Sequence, residues 1–168
     1  MPVESVKTLQ NRYGPSYRWL VTAAGMMGAM VVILSSTMVN VAVPSIMGTF
    51  GVGQSEAQWM STAFLAAMTA SQLLGAWVLS IFGPRVGYIG AVSIFVAGSF
   101  LGAFAPNIDI LILSRVIQGF AAGVVQPLAM VTIFKVFQPE KRGLALSLYG
   151  GGSMIAPILG PIVGGITI

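Results

Sequence analysis

The sequence predicts an all-α polytopic membrane protein with five transmembrane helices. Only 7% of its 168 residues are charged and 56% are hydrophobic, which leaves too few charges for a surface that faces water. The apolar residues occur in runs of about twenty, the length at which a helix crosses a hydrocarbon core of roughly 30 Å. These runs do not alternate as membrane strands do, so a helix bundle is predicted rather than a barrel.

The chain begins with a short basic segment, residues 1–18, which contains Lys7, Arg12 and Arg18. The apolar run that follows is too long for the core of a signal peptide, so this segment is predicted to be a retained cytoplasmic tail. The five spans are then predicted at residues 19–43, 59–80, 86–105, 110–134 and 144–168.

The connections between the spans are predicted from residues that disfavour helix. The first span ends near Pro44 and is followed by a polar connection over residues 48–57. Phe82-Gly83-Pro84-Arg85 and the segment 106–109 predict tight turns. The most charged segment, residues 138–143, separates the fourth and fifth spans.

Basic residues predict the orientation, because short loops rich in Lys and Arg remain in the cytoplasm. Seven basic residues fall in the tail, the second connection or the fourth, whereas the first and third connections carry only the acids Glu56 and Asp109. The alternation places the amino terminus inside the cell. The basic residues in question are Lys7, Arg12, Arg18, Arg85, Lys135, Lys141 and Arg142.

The composition also excludes several classes of function. The chain contains no Cys and no His, so disulfides, thiolate metal sites and the commonest general base are absent, and neither a cofactor nor a metal is expected. An enzyme is therefore not expected. The basic residues are scattered among the spans rather than clustered as phosphate binding requires, which argues against nucleic acid.

The polar residues within the spans are the candidate pathway residues. Arg115 lies about five residues into the fourth span, and Gln118 and Gln126 share its helical face. Arg115 either reaches back to the interface beside Asp109 or faces a cavity or a partner helix. Ser35 and Asn40 lie in a polar patch of the first span with Ser36 and Thr37, and either hydrogen bonds between helices or a pathway role would explain them. Thr69 and Gln72 in the second span give a weaker signal of the same kind.

The fifth span contains a repeated small-residue pattern. Gly152, Ala156, Gly160 and Gly164 recur every four residues and predict a flat ridge that a second helix can approach closely. Pro157 and Pro161 predict a helix that is bent or readily bent, and Gly165 adds to its flexibility. A static packing helix and a moving element are both consistent with the pattern.

Three motifs together resemble the major facilitator superfamily, and within it the fourteen-span drug:proton antiporter branch of the EmrB/QacA type. Residues 34–44, Leu-Ser-Ser-Thr-Met-Val-Asn-Val-Ala-Val-Pro, are similar to the first-span motif L-D-x-T-x-V-N-V-A-L-P. Residues 115–119 are similar to R-V-x-Q-G. Residues 156–165 are similar to the antiporter signature G-x-x-x-G-P-x-x-G-G, with Ala156 at the first glycine.

The resemblance implies an alternating-access carrier that exports hydrophobic, often cationic, compounds in exchange for protons. It implies that Arg115 is the buried basic residue linked to proton coupling. It also implies that Ala156, Pro157, Gly160, Pro161, Gly164 and Gly165 form a hinge and seal. The membrane implied is the bacterial cytoplasmic membrane.

The sequence departs from the family pattern at two sites. Ser35 stands where the family has an acid in the first span, so a carboxylate that could carry a proton is missing there. In the second connection only Gly83 and Arg85 match the superfamily pattern G-x-L-A-D-R-x-G-R-R, which predicts a weakened charge relay.

Five spans cannot supply two six-span bundles, so the chain is expected to be an amino-terminal piece that requires the remaining spans of the carrier and does not transport alone. Two other functions stay open: a non-transporting membrane protein or regulatory subunit, and a small-metabolite carrier of the same superfamily.

Overall fold

The computed structural model describes residues 14–167, and every regular element in that range is helical. A 3₁₀ turn at Gly14–Ser16 precedes α1 (Tyr17–Phe50), α2 (Gln54–Gln72), α3 (Gly75–Ala103), α4 (Ile108–Val136), α5 (Pro139–Ser153) and α6 (Ile155–Thr167). The predicted all-α fold class is confirmed. The predicted tail up to residue 13, and residue 168 of the predicted fifth span, lie outside the described residues.

Four helical segments of this range are long and apolar enough to cross a membrane by length and composition: Tyr17–Phe50, Trp77–Ala103, Ile108–Val136 and Pro139–Ile166. The helix α2 is more polar, because Gln, Ser, Thr and Glu residues interrupt it. Even so, α2 and the first residues of α3 pack along the length of α4. We therefore group α2 with residues 75–82 as span two. The other spans are α1 (span one), residues 84–103 (span three), α4 (span four), and α5 with α6 (span five).

Span one extends further than the sequence predicts. The predicted end near Pro44 and the connection over residues 48–57 are wrong, because the helix continues through Pro44 to Phe50. Proline within a membrane helix costs one backbone hydrogen bond but need not end the helix. The helix ends instead at Gly51, whose φ of 65° is the left-handed conformation that glycine adopts at low cost.

Span two begins earlier than the predicted Trp59. Its first helix starts at Gln54, where the Gly53 N–H donates to Glu56 Oε2 at 3.1 Å. A break at Leu73 and Leu74, which no glycine or proline precedes, separates α2 from α3. The predicted turn at Phe82–Arg85 is present as a single non-helical residue, Gly83, with φ 73° and ψ 170°.

The last two spans also begin earlier than predicted. Span four starts at Ile108 because Asn107 Oδ1 accepts a hydrogen bond from the Ile110 N–H at 2.9 Å. The predicted charged loop 138–143 is largely helix, since Pro139 occupies the first position of α5, where proline is favoured. Span five is divided at Met154, although the φ of −66° and ψ of −18° at that residue remain helical. Pro157 cannot donate to the Ser153 carbonyl beside it, and the bend itself stays a prediction.

Contacts between helices give the direction of each span. Spans one and three run antiparallel to span four. The start of span one, at Gly25, contacts the end of span four, at Ala129, and the end of span three, at Gly102, contacts the start of span four, at Ser114. Span two runs parallel to span four, and span five runs parallel to span one. The pairs that fix these directions are Ser35–Arg115, Gly87–Leu128, Phe64–Gly119, Gly75–Pro127, Met26–Gly152 and Thr37–Gly160. The five spans therefore alternate in direction.

Span four is the centre of the bundle and packs against the other four spans. Its small residues Gly119 and Gly123 lie directly against the span-two backbone at Phe64 and Met68. Three apolar clusters surround it along its length: Val32, Phe64, Phe95, Ala121 and Ala122; then Ala91, Val124, Val125 and Leu128; then Ile133, Val136, Phe137 and Ala145. The span-four members of these clusters begin at Ala121, beyond the first turns of the helix.

Candidate functional site

The Arg115 side chain points into the bundle from the first third of span four. Its Nη1 donates hydrogen bonds to Ser35 Oγ at 3.0 Å, to the Ser35 carbonyl at 3.5 Å and to Gln118 Oε1 at 3.0 Å. The guanidinium therefore contacts span one rather than Asp109, and the predicted alternative of an interfacial pair with Asp109 is not the arrangement found. Ser35 is the position where the resemblance leads one to expect an acid.

Gln118 extends the contacts of Arg115 to span three. Its side chain is buried, and its Nε2 donates to Ser99 Oγ at 2.8 Å while its Oε1 faces Arg115. Ser99 Oγ in turn donates to the Phe95 carbonyl at 3.0 Å. We call Ser35, Arg115, Gln118 and Ser99 the polar network; it joins spans one, three and four. Ser99 was not predicted, because one serine in an apolar span gives no signal until its partner is known.

The charge of Arg115 is not neutralised by any acid of the described spans. The acids of the described range, Glu56, Asp109 and Glu140, each lie in the first turn of a helix. The oxygens that Arg115 contacts are all neutral, and its Nε is buried without a hydrogen-bond partner among residues 14–167. A buried cation in this state is costly in a bilayer.

Two cavities reach Arg115 from different sides. One of about 160 Å³ lies between spans one, two and four, and is lined by Ser36, Asn40, Ser61 and Phe64 among others. We call it the Asn40 cavity. The other, of about 470 Å³, lies between spans one, three and four, and the polar network forms its polar wall.

Several polar residues considered as pathway candidates donate hydrogen bonds to carbonyls of their own helix rather than to the polar network. The hydroxyl groups of Ser36 and Thr37 both donate to the Ile33 carbonyl, at 2.9 and 3.0 Å, and Thr69 Oγ1 donates to the Leu65 carbonyl at 2.8 Å. These bonds stay within their own helices. Ser36 and Asn40 nevertheless line the same cavity as Arg115.

Gln126 is not part of the polar network. It lines a separate cavity of about 370 Å³ together with Gln72, Ile33 and Tyr149. Gln126 shares the helical face of Arg115, as predicted, but lies eleven residues or roughly 16 Å further along the helix axis. The two polar positions of span four therefore belong to different cavities.

The predicted ridge of span five packs on span one. Ala156 is fully buried, and side chains larger than hydrogen at Gly152 and Gly160 would overlap Met26 and Thr37. Gly164 lies against Met38 and Val41. Gly165 and Pro161 face away from this contact and are exposed. The ridge thus sets the close approach of these two helices, and Met154 lies between its first two residues, Gly152 and Ala156.

The turn between spans two and three adjoins a further cavity of about 150 Å³, lined by Arg85, Tyr17 and Thr132. Beside it, Tyr88 Oη donates to the Ala24 carbonyl at 2.6 Å. This bond, which the sequence does not predict, joins span three to the backbone of span one. The same end of the bundle holds Arg142, whose guanidinium lies 5.6 Å from the centroid of the Phe134 ring.

Comparison with known proteins agrees with this architecture. Residues 25–168 match the model of the Major Facilitator Superfamily. The chain is 37% identical over 146 residues to the multidrug export protein EmrB of Haemophilus influenzae, which covers 87% of the chain and 29% of that relative. It is 33% identical over 146 residues to EmrB of Escherichia coli K12, covering 87% and 28%.

A third relative is named for a different role. The fatty acid resistance protein FarB of Neisseria gonorrhoeae is 34% identical over 152 residues, which is 90% of the chain and 30% of FarB. The chain thus spans less than a third of the length of each of these relatives. Since the family match covers residues 25–168, well over half of the chain, the chain belongs to the major facilitator superfamily.

Proposed function

We propose that this chain is the amino-terminal part of a carrier that exports hydrophobic compounds from a bacterial cell by alternating access, in exchange for protons. The observation that carries the proposal is the contact between the span-five ridge and span one, interrupted at Met154. A ridge of small residues beside two prolines allows one helix to move against another at low steric cost. Two relatives whose names describe multidrug export support the substrate class.

The proposal assigns roles to the residues of the site. The polar network, with Arg115 at its centre, provides the buried polar part of the pathway. Asn40 lines a cavity beside it, and Gln126 lines a separate cavity further along span four. Ser35 accepts a hydrogen bond but carries no charge at this position, so span one does not supply a proton-carrying carboxylate. Ala156 to Gly165 act as the hinge and seal, and Gly83 with Arg85 forms the remaining loop motif.

The transport experiment uses inverted membrane vesicles from cells that express the protein from its own gene. With a respiratory proton gradient, the vesicles are expected to accumulate a lipophilic dye, and addition of the dye is expected to release protons that a pH-sensitive fluorophore detects. A small-metabolite carrier would respond to hydrophilic substrates instead, and a non-transporting subunit would respond to neither. Absence of any substrate-dependent proton movement contradicts the proposal.

A matched pair of substitutions tests the hinge. Gly160→Ala places a methyl group against Thr37, whereas Gly151→Ala, on the same span, meets nothing within 4 Å. The first is expected to reduce dye transport at least tenfold while the protein remains folded, and the second is expected to leave transport unchanged. Equal transport by the two variants would remove the hinge role.

The proposed orientation places the amino terminus in the cytoplasm. The chain contains no Cys, so single cysteines report sidedness without background. In intact cells, a membrane-impermeant maleimide is expected to label Ser55→Cys, while Lys141→Cys is expected to react only after the membrane is opened. The reverse labelling would place the amino terminus outside.

A further inference from the structure

Ser99 lies in span three, outside every motif of the sequence, yet a single side chain connects it to Arg115. Gln118 Nε2 donates a hydrogen bond to Ser99 Oγ at 2.8 Å, and Gln118 Oε1 accepts one from Arg115 Nη1 at 3.0 Å. One amide group therefore links span three to the buried cation of span four. The effect of Ser99 on Arg115 depends on how that amide is oriented.

The two neighbours of the Gln118 amide require the same orientation. A guanidinium only donates hydrogen bonds, so the amide atom that faces Arg115 must be the oxygen. At the other end, the Ser99 hydroxyl donates to the Phe95 carbonyl of its own helix at 3.0 Å, which leaves the Ser99 oxygen to accept. The amide NH₂ group must then face Ser99, and the whole chain of hydrogen bonds has one direction.

Span three is shaped to receive Gln118 at this place. A Cβ atom at Gly98 would lie 2.9 Å from Gln118 Cγ and 3.2 Å from Ile117 Cγ2, so a larger residue would push the glutamine away from Ser99. Gln118 is also buried. Loss of its Ser99 partner would therefore leave an amide short of a hydrogen bond, and the amide would turn to seek another.

The direction of the guanidinium depends on this amide, because Nη1 carries two hydrogens and both are used. One points to Ser35 Oγ and the other to Gln118 Oε1, each at 3.0 Å. Span one thus holds Arg115 directly, and span three holds it through Gln118. If the amide turned over, its NH₂ group would face Arg115, and two donors form no hydrogen bond.

We propose that Ser99 is a positioning residue that keeps the Gln118 amide oxygen toward Arg115, so that the direction of the guanidinium depends on where span three lies. A shift of span three that separates Ser99 from Gln118 then releases Arg115 without any movement of span one. The effect on transport rests on the proposed export function. The effect on the guanidinium does not, and the two are tested separately.

The first test measures how fast the Arg115 guanidinium rotates. The protein, expressed from its own gene with ¹⁵N-labelled arginine and placed in lipid, is studied by magic-angle-spinning NMR. Exchange between the two Nη signals, identified by their loss in Arg115→Lys, reports rotation. Ser99→Ala is expected to raise the exchange rate at least fivefold. Ser99→Thr keeps the hydroxyl, and its methyl group has room in the cavity of about 470 Å³ beside it, so its rate should stay within twofold of the unsubstituted protein.

Two controls separate positioning from packing. Ser93→Ala makes the same change at an exposed position of span three and is expected to have no effect. Gln118→Glu supplies a carboxylate, which presents an accepting oxygen to Arg115 whichever way it turns. In that background Ser99→Ala should change the exchange rate by less than twofold. An equal change in both backgrounds, or an unchanged rate in Ser99→Ala alone, overturns the proposal.

A further variant keeps the test decisive if Ser99→Ala does not fold. Gly98→Ala displaces Gln118 by crowding and leaves Ser99 in place, and it is also expected to raise the exchange rate at least fivefold. An unchanged rate in this variant counts equally against the proposal.

The second test uses dye-driven proton release in the inverted vesicles. Ser99→Ala is expected to reduce it at least fivefold, and Ser99→Thr is expected to restore it to within twofold. Faster guanidinium rotation with full proton release would overturn the link between Ser99 and transport. Absence of proton release from the unsubstituted protein, with the NMR effects intact, counts against the export function alone.

Discussion

The two halves of span four are built differently, although both lie inside the same bundle. The amino-terminal half carries Arg115 and Gln118, which make long-range hydrogen bonds and adjoin two cavities. The carboxy-terminal half presents Leu128 and Ile133, which are fully buried in apolar clusters. The comparison indicates that the amino-terminal half positions the candidate site, whereas the carboxy-terminal half fixes span four within the bundle.

The two halves also depend on different forces. Lipid tails are as apolar as a leucine side chain, so in a membrane the apolar half is stabilised mainly by close packing and by small residues that allow it. The polar half is stabilised by satisfied hydrogen bonds, which cost free energy when one partner is lost. Substitutions in the two halves should therefore destabilise the protein for different reasons.

The largest effect is expected where span four meets the backbone of span two. Gly123→Ala would place a methyl group on the Met68 carbonyl and the Ser71 hydroxyl, and overpacking against backbone should cost about 3 kcal/mol or more. Little folded protein is expected by size-exclusion chromatography in detergent. Gly90→Ala meets nothing within 4 Å and should fold normally; similar yields for both variants would show that the spans are not in close contact.

The next effect is expected in the apolar half. Ile133→Ala removes packing from a fully buried position and should lower the free energy of unfolding by about 2 kcal/mol, at the low end of the range for such changes because lipid also solvates apolar groups. Ile162→Ala, at a side chain that is 52% exposed, should have little effect. Denaturant unfolding in micelles measures the difference, and equal losses would contradict the apolar-cluster assignment.

A smaller loss is expected in the polar half. Gln118→Leu keeps the size of the side chain but removes its bonds to Arg115 and Ser99, at a cost of about 1 kcal/mol. Combining it with Ser99→Ala should cost less than the sum of the two single changes, because both remove the same bond. Strict additivity in the double-mutant cycle would mean that the two side chains do not interact.

The smallest effect is expected outside span four. Thr69→Val removes a hydroxyl that bonds only to the Leu65 carbonyl of its own helix and lies on an exposed face, so stability should change by less than about 0.5 kcal/mol. A loss as large as that of Gln118→Leu would indicate that Thr69 belongs to the polar site after all.

Features set by local residue types could be predicted from the sequence. The apolar runs predict the helices, the Gly83-Pro84 pair predicts the reversal between spans two and three, and the four-residue spacing in span five predicts its packing ridge. Each depends on backbone preferences or on side-chain size within one segment. The structure bears out each of these local features.

Features that depend on neighbouring helices could not be predicted. Whether Pro44 ends a helix depends on what satisfies the freed carbonyl, and the partner of Ser99 or Tyr88 is fixed only once the spans have packed. The position of Gln126 shows a further limit. Helical periodicity gave its face correctly, but a shared face says nothing about depth, and depth decides which cavity a side chain lines.

The span-five ridge has a repeat, and a repeat implies alternative registers. Because Gly152, Ala156, Gly160 and Gly164 recur every four residues, a slide of one repeat, about 6 Å, would again set a small residue opposite two of the three span-one contacts, whichever way span five moved. The steric resistance to sliding of the span-five ridge along span one is therefore periodic. Met26, Thr37 and Val41 are the span-one side chains that contact the ridge. The bulk of these three side chains, more than the glycines themselves, sets how firmly each register is held.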